Sequence, residues 1–358
     1  MEEAKAPGRL GNPLETLASD PRTHAAVAAV AKSAGWAPAS PVLAGAADEE
    51  ELHERVAQQE AAIWAMWPAD KPPVPGVSTT TEVISAGPSG GAQHDVKLLI
   101  TRPAAAPARP LPCVYHIHGG GMAFMTASQA SYSHFRALLA AAGGFVVVGV
   151  EFRNSSGSLG RHPFPAGLDD CMAGLEWVHA HRERLGVSKI VLAGDSGGGN
   201  LSMAACLRAK REGKLGMVAG VYASCPFICG DCSERAGELP SLRENADYFI
   251  SVEDCAAMAR LYDPSGANAR NPLAWPYHAT AEELAGLPPH FISVSELDPF
   301  RDEGIAHFRR LSAAGVQATG RCSLGTTHCW EHVIQDQAAP YLAHSLIQEL
   351  VQFALSVM

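Results

Sequence analysis

The pentapeptide Gly194-Asp195-Ser196-Gly197-Gly198 has the G-x-S-x-G pattern, and its setting suits nucleophilic chemistry. An apolar run at 189–193 precedes it, and a helical pattern opens near Asn200. A strand–turn–helix of this kind lifts a serine hydroxyl clear of a sheet edge. The turn is so tight that a β-carbon at Gly194 or Gly198 would strike neighbouring backbone. Ser196 is therefore the candidate nucleophile. His118-Gly119-Gly120-Gly121 ends an earlier apolar run. Glycines there let backbone N–H groups approach a developing alkoxide, so Gly120, Gly121 and Gly197 are the candidate oxyanion donors. A phosphate-binding loop is the competing reading of that motif, but G-x-G-x-x-G and a P-loop lysine are both missing. His118 itself is assigned to bracing the loop.

A serine nucleophile needs a base and a group to orient it, in the chain order Ser, Asp or Glu, His. Glu296-Leu-Asp-Pro-Phe-Arg-Asp follows an apolar run at 291–295. Asp298 lies just past that strand end and is favoured as the acid. Asp302 falls within the next helix, where a first-turn acid is ordinary, and Glu296 is the weaker rival. For the base, His328 lies in the loop after a strand at 316–323, with His332 on the helix beyond. His328 is favoured because a loop position above the sheet edge suits proton shuttling. The chemistry expected of these residues is acyl transfer through a covalent intermediate.

The elements that must position these groups alternate. Apolar runs at 113–118, 145–151, 189–193, 218–224, 291–295 and 316–323 read as strands, and 145–151 is continuous, as in a strand buried on both faces. Helical spacing marks 166–185, 201–210, 303–314 and 341–357, while strands at 83–84 and 96–101 come earlier. This alternation builds a mostly parallel sheet with helices on both faces. More than sixty residues separate the strands near 225 and 291, too many for a plain crossover. An insertion folded over the C-terminal sheet edge, where such sheets bind ligands, explains the interval. Ahead of the sheet, residues 20–65 are Ala-rich and helical, ended by a Pro-rich connector. Phe124, Phe227, Tyr248, Phe249 and Trp275 are candidate pocket liners, each equally suited to core packing.

Bulk properties narrow the function classes. The 358 residues are 47% apolar and 18% charged, which suits a globular protein. A net charge of −10 with no basic run argues against nucleic acid as a partner. The N-terminal stretch lacks the apolar core of a secretory signal. The most apolar segment, 143–152, is half the roughly 20 residues needed to span a bilayer. A soluble, cytoplasmic protein without membrane contact is expected. Nine cysteines, an odd number, suit a reducing compartment. Cys225, Cys229 and Cys232 cluster, but the lone C-x-x-C lacks a second knuckle or a nearby histidine, so no metal is expected.

Together, HGGG, Gly194-Asp-Ser-Gly-Gly-Gly-Asn, Glu296-Leu-Asp-Pro-Phe-Arg-Asp-Glu-Gly and His328 resemble the hormone-sensitive-lipase-like family of bacterial esterases. Asn12-Pro-Leu-Glu-Thr, His162-Pro-Phe-Pro-Ala-Gly and Pro272-Leu-Ala-Trp-Pro-Tyr extend the resemblance over nearly the whole chain. It implies an α/β-hydrolase fold, a mostly parallel central sheet flanked by helices, with a helical cap. Residues 76–228 and 281–358 would form the catalytic core, and 1–75 with the insertion 229–280 the cap. It implies a cofactor-free carboxylesterase using Ser196, Asp298 and His328, with macrocyclic lactones among the esters in view, and a mostly apolar cap favours small to medium hydrophobic esters. A homodimer is an open alternative to a monomer. Two departures stand out. Cys329 follows the histidine where many members have Gly, and Asn154-Ser-Ser-Gly-Ser-Leu-Gly replaces a Leu-Ala-Pro-Glu step. Two other readings use the same features: an amidase or peptidase on the same triad, and a silent small-ligand-binding protein.

Overall fold

The computed structural model describes residues 6–357 except 34, 36–40, 67–70, 88–92, 106–108, 233–234, 236 and 331–339. Eight strands form one sheet: β1 (Val77–Ala86), β2 (His94–Pro103), β3 (Leu111–Ile117), β4 (Val146–Glu151), β5 (Val187–Asp195), β6 (Gly220–Ser224), β7 (His290–Ser295) and β8 (Ala318–Ser323). Their order is β1-β2-β4-β3-β5-β6-β7-β8. β1 and β2 form an antiparallel ribbon, joined antiparallel to β4, and every pairing from β4 to β8 is parallel. The helices are α1 (Gly8–Gly11), α2 (Ala25–Ser33), α3 (Glu49–Met66), α4 (Ala130–Gly143), α5 (Ala166–Ala180), α6 (Arg182–Leu185), α7 (Gly197–Arg211), α8 (Ser241–Glu244), α9 (Val252–Tyr262), α10 (Ala281–Leu284), α11 (Arg301–Ala313) and α12 (Pro340–Ser356).

Successive strand residues point to opposite faces, and the two cores divide accordingly. On one face Val114, Val147, Val191 and Tyr222 meet Phe135 and Leu139 of α4 and Leu346, Leu350 and Phe353 of α12. On the other, Tyr115, Val148, Leu192 and Ile292 meet Leu168 and Leu175 of α5, Leu201 of α7 and Leu311 of α11. Helices on both faces explain why the central strands are apolar throughout.

Two helical expectations change in detail. The stretch 166–185 divides into α5 and α6 at His181, whose φ of −103° and ψ of 14° are not helical. α7 starts at Gly197, four residues earlier than its apolar periodicity. The Ser196 carbonyl accepts the Asn200 N–H at 3.1 Å, so the glycines form the first helical turn and not a separate loop.

The N-terminal stretch docks on the insertion between β6 and β7. Asp254 of α9 accepts the N–H groups of Val42, Leu43 and Ala44 at 2.7–3.0 Å. The Tyr248 hydroxyl donates to Asp20 at 3.0 Å, and Arg22 bonds Asp20 and Glu244. Glu60 of α3 accepts the N–H groups of Met125 and Ser158. Among the described residues no helix is long and apolar enough to cross a membrane.

His290 on β7 and His307 on α11 are buried, and burial lowers them to about 4 and about 3. A histidine lowered in the folded state leaves the unfolded chain binding more protons below about pH 6.5. Their contribution to stability is thus full above that pH and is lost on acidification toward the folded values. Thermal melts from pH 7 to 4.5 should show Tm falling less steeply in His307→Leu than in the wild type. An equal slope would remove His307 from the acid response.

Candidate active site

Ser196 sits one residue beyond β5 with φ 53° and ψ −118°. A non-glycine residue held there costs about 1–3 kcal/mol. Its N–H donates to the Ser224 carbonyl at 2.9 Å, and its carbonyl accepts from Asn200 and Phe227. A β-carbon on Gly194 would lie 2.3 Å from Gly198 backbone, and one on Gly198 2.0 Å from the Ile117 carbonyl. The steric reading of these two glycines therefore holds.

The Gly119–Gly121 loop leaves β3 beside this turn. Gly120 has φ 96°, and a β-carbon there would meet the Phe124 carbonyl at 2.2 Å. Gly121 has φ 60°, and one on Gly197 would lie 2.9 Å from its Cα. The three backbones named as oxyanion donors are thus brought to one spot. His118 is fully buried, stacked on Phe152 at 4.3 Å, and its Nδ1–H donates to the Gly119 carbonyl at 2.9 Å. Burial lowers its pKa, so it stays neutral and structural.

Tyr132 of α4 had no sequence signal. Its buried hydroxyl accepts the Gly119 N–H at 2.9 Å and donates to Asp195 Oδ2 at 2.9 Å. It ties the glycine loop to the serine turn, and burial pushes the phenol well up, which keeps it a donor. Its partner Asp195 occupies the second position of G-x-S-x-G.

Asp298 is fully buried three residues past β7. Its Oδ1 accepts the Phe300 N–H at 2.8 Å, and its Oδ2 accepts the His328 Nδ1–H at 2.8 Å. The rivals have other partners. Glu296 accepts the Gly325 N–H at 2.8 Å and braces the histidine loop. Asp302 accepts the Ser241 N–H at 2.7 Å and the Arg301 Nε–H at 2.8 Å. His332 lies outside the described residues. His328 packs edge-on against Phe300, 5.4 Å between centroids. A ring nitrogen of His328 and the Cys225 and Cys329 sulfurs lie within 4.8 Å of one another. Cys225 follows Ser224, whose carbonyl holds the Ser196 N–H, so His328 and Ser196 share one sheet edge.

The sequence pattern of the α/β-hydrolase fold matches residues 114–332, more than half of the chain and all the site residues above. The chain belongs to the α/β-hydrolase fold family. A solved brefeldin A esterase, described as a bacterial homologue of human hormone-sensitive lipase, is 39% identical over 99% of both chains, with a TM-score of 0.91. The esterase Est22 is 34% identical, covering 94% of this chain and 98% of its own, with a TM-score of 0.80. Esterase LipI of Mycobacterium tuberculosis is 35% identical over 208 residues, 57% of this chain and 61% of LipI. Carboxylesterase NlhH of the same organism is 34% identical over 58% of this chain and 62% of its own. The chain thus spans about three fifths of the length of these two curated relatives.

Both departures from the family pattern have a physical account in this α/β-hydrolase-fold chain. Cys329 has φ 48°, a conformation glycine adopts freely, and its side chain is buried. In the Asn154 stretch, Asn154 Nδ2 donates to the Met125 carbonyl at 2.7 Å. The Ser155 N–H and hydroxyl both donate to the Met122 carbonyl. That stretch therefore holds the segment following the Gly119–Gly121 loop. Of the five liners, Phe227 stacks on Phe300 at 4.6 Å and meets Trp275 edge-on, and Tyr248 is tied to Asp20, so these three serve packing. Phe124 is also buried, and Phe249 packs against the small cluster around Trp330.

Proposed function

We propose that this hydrolase is a serine carboxylesterase. The observation that carries the reading is the Asp298–His328 hydrogen bond of 2.8 Å on the sheet edge that holds the strained Ser196. The printed names of its relatives, esterases and carboxylesterases, support the same reaction class. His328 Nε2 takes the Ser196 proton, and the Ser196 oxygen attacks the ester carbonyl. The oxyanion is held by the N–H groups of Gly120, Gly121 and Gly197, each worth about 3–4 kcal/mol in the transition state. Protonated His328, oriented and charge-balanced by Asp298, gives its proton to the departing alcohol. Water then attacks the acyl-enzyme by the same route and releases the acid.

The substrates we infer are small to medium hydrophobic esters. Ser196 and His328 are only 9% and 6% exposed, so a substrate must enter a covered, water-poor site. Part of the cover is Met258 of α9, whose sulfur lies 3.0 Å from a β-carbon position on Gly121. Macrocyclic lactones are esters and fall within the proposal, supported by the likeness to brefeldin A esterase over the full chain.

Hydrolysis of p-nitrophenyl acetate and butyrate by the purified protein, beside Ser196→Ala, tests the activity. Well-folded protein that hydrolyses neither ester would refute it. The site's size is tested separately. Met258→Ala removes apolar atoms beside the oxyanion loop and should raise kcat/KM for hexanoate relative to acetate by about tenfold, the scale of methylene discrimination in an apolar pocket. An unchanged ratio would take Met258 out of the substrate's path.

A further inference from the structure

Cys225, at the end of β6, and Cys329, beside the proposed base, come from segments about a hundred residues apart in sequence. Both side chains are buried, and both residues hold positive φ, 42° and 48°. Their sulfurs and a ring nitrogen of His328 lie within 4.8 Å of one another. Tetrahedral zinc holds thiolate and imidazole ligands at about 2.3 and 2.0 Å, which sets them roughly 3.5–3.8 Å apart. The three side chains need close by only about an ångström. A second feature points the same way. The His328 Nδ1–H is committed to Asp298 Oδ2, the carboxylate–histidine arrangement that orients imidazoles toward metals through the other nitrogen.

We propose that Cys225, Cys329 and His328 form an inhibitory site for a soft divalent cation of the zinc class. Binding converts two thiols to thiolates, releases two protons to solvent, and leaves a neutral centre with one coordination position open. Cation and ligand charges cancel, which is the condition for burial. Burial pushes the Cys329 thiol well up, so this ligand gives up its proton only when a cation takes its place. The Nε2 lone pair that would accept the Ser196 proton is the one the cation takes, so hydrolysis stops while the metal is held. The inference rests on His328 acting as the base.

The C-x-x-C of Cys229 and Cys232 is a separate pair, buried in the main core. The test measures zinc inhibition of p-nitrophenyl acetate hydrolysis in the wild type, Cys225→Ser and Cys329→Gly. Glycine accommodates the φ at 329 and serine keeps the size at 225, so both variants should retain basal activity. The half-inhibitory zinc concentration should rise at least about tenfold in each, and chelation should restore the wild type. Cobalt gives a readout independent of hydrolysis. One ion per chain with a thiolate charge-transfer band is expected in the wild type, weakened by either substitution. Equal zinc sensitivity in all three proteins, or cobalt binding without that band, would overturn the site. The band without loss of hydrolysis would keep the metal site but refute the inhibition, and with it the assignment of His328 as base.

Discussion

Ser196→Ala is expected to lower kcat for p-nitrophenyl acetate by at least about 10⁴-fold while leaving the fold intact. The magnitude follows from what alanine removes. In the proposed mechanism the covalent route disappears, and His328 loses the hydroxyl it would deprotonate. The oxyanion donors remain, so a residual rate above water's is expected. Stability should change little, because the turn is held by backbone bonds from the Ser196 N–H and carbonyl, not by its hydroxyl. Thermal melting reports the fold and a stopped assay the activity. A variant that melts normally and keeps more than a hundredth of the rate would contradict the assignment.

Asp298→Asn should be nearly as damaging, through the proton on His328. The Phe300 N–H needs an acceptor, and Oδ1 supplies it at 2.8 Å. An asparagine meeting that need turns its NH₂ toward His328 Nδ1, where the aspartate now accepts. Nδ1 must then become the acceptor, which moves the imidazole proton to Nε2. In that tautomer His328 has no lone pair for the Ser196 proton. The alternative amide orientation sets two donors, Phe300 N–H and the amide, against each other. A kcat loss of about 10⁴-fold with little change in KM is expected, the scale measured for this substitution in the chymotrypsin-type triad. Asn245 Nδ2 bonds the Asp298 carbonyl and not its side chain, so the backbone should stay in place. A loss under tenfold would mean that Asp298 only holds the loop.

What was legible in the sequence depended on how local the physics was. The run at 145–151 is continuous because β4 lies between two helical layers, and that pattern survives in one sequence. Ser196, Asp298 and His328 could be named because each follows a strand end in an order set by the topology. Glu296 and Asp302 could be ranked lower for the same reason, and in the structure they accept the Gly325 and Ser241 N–H groups. The start of α7 was hidden because its first turn is glycine, whose sequence signature is a turn. Tyr132 was invisible because its two partners come from different strand ends, and nothing in its own neighbourhood marks it. The meeting of Cys225 with Cys329 needed the parallel register of β6, β7 and β8, which no local pattern encodes.

The central claim, that Ser196 is the nucleophile of an acyl-transfer site, is tested most directly by titration with a fluorophosphonate and peptide mass mapping of the adduct. The account predicts one adduct per chain, on the peptide carrying Ser196, with ester hydrolysis falling in proportion to labelling. An adduct on another residue, or hydrolysis that survives complete labelling of Ser196, would contradict it.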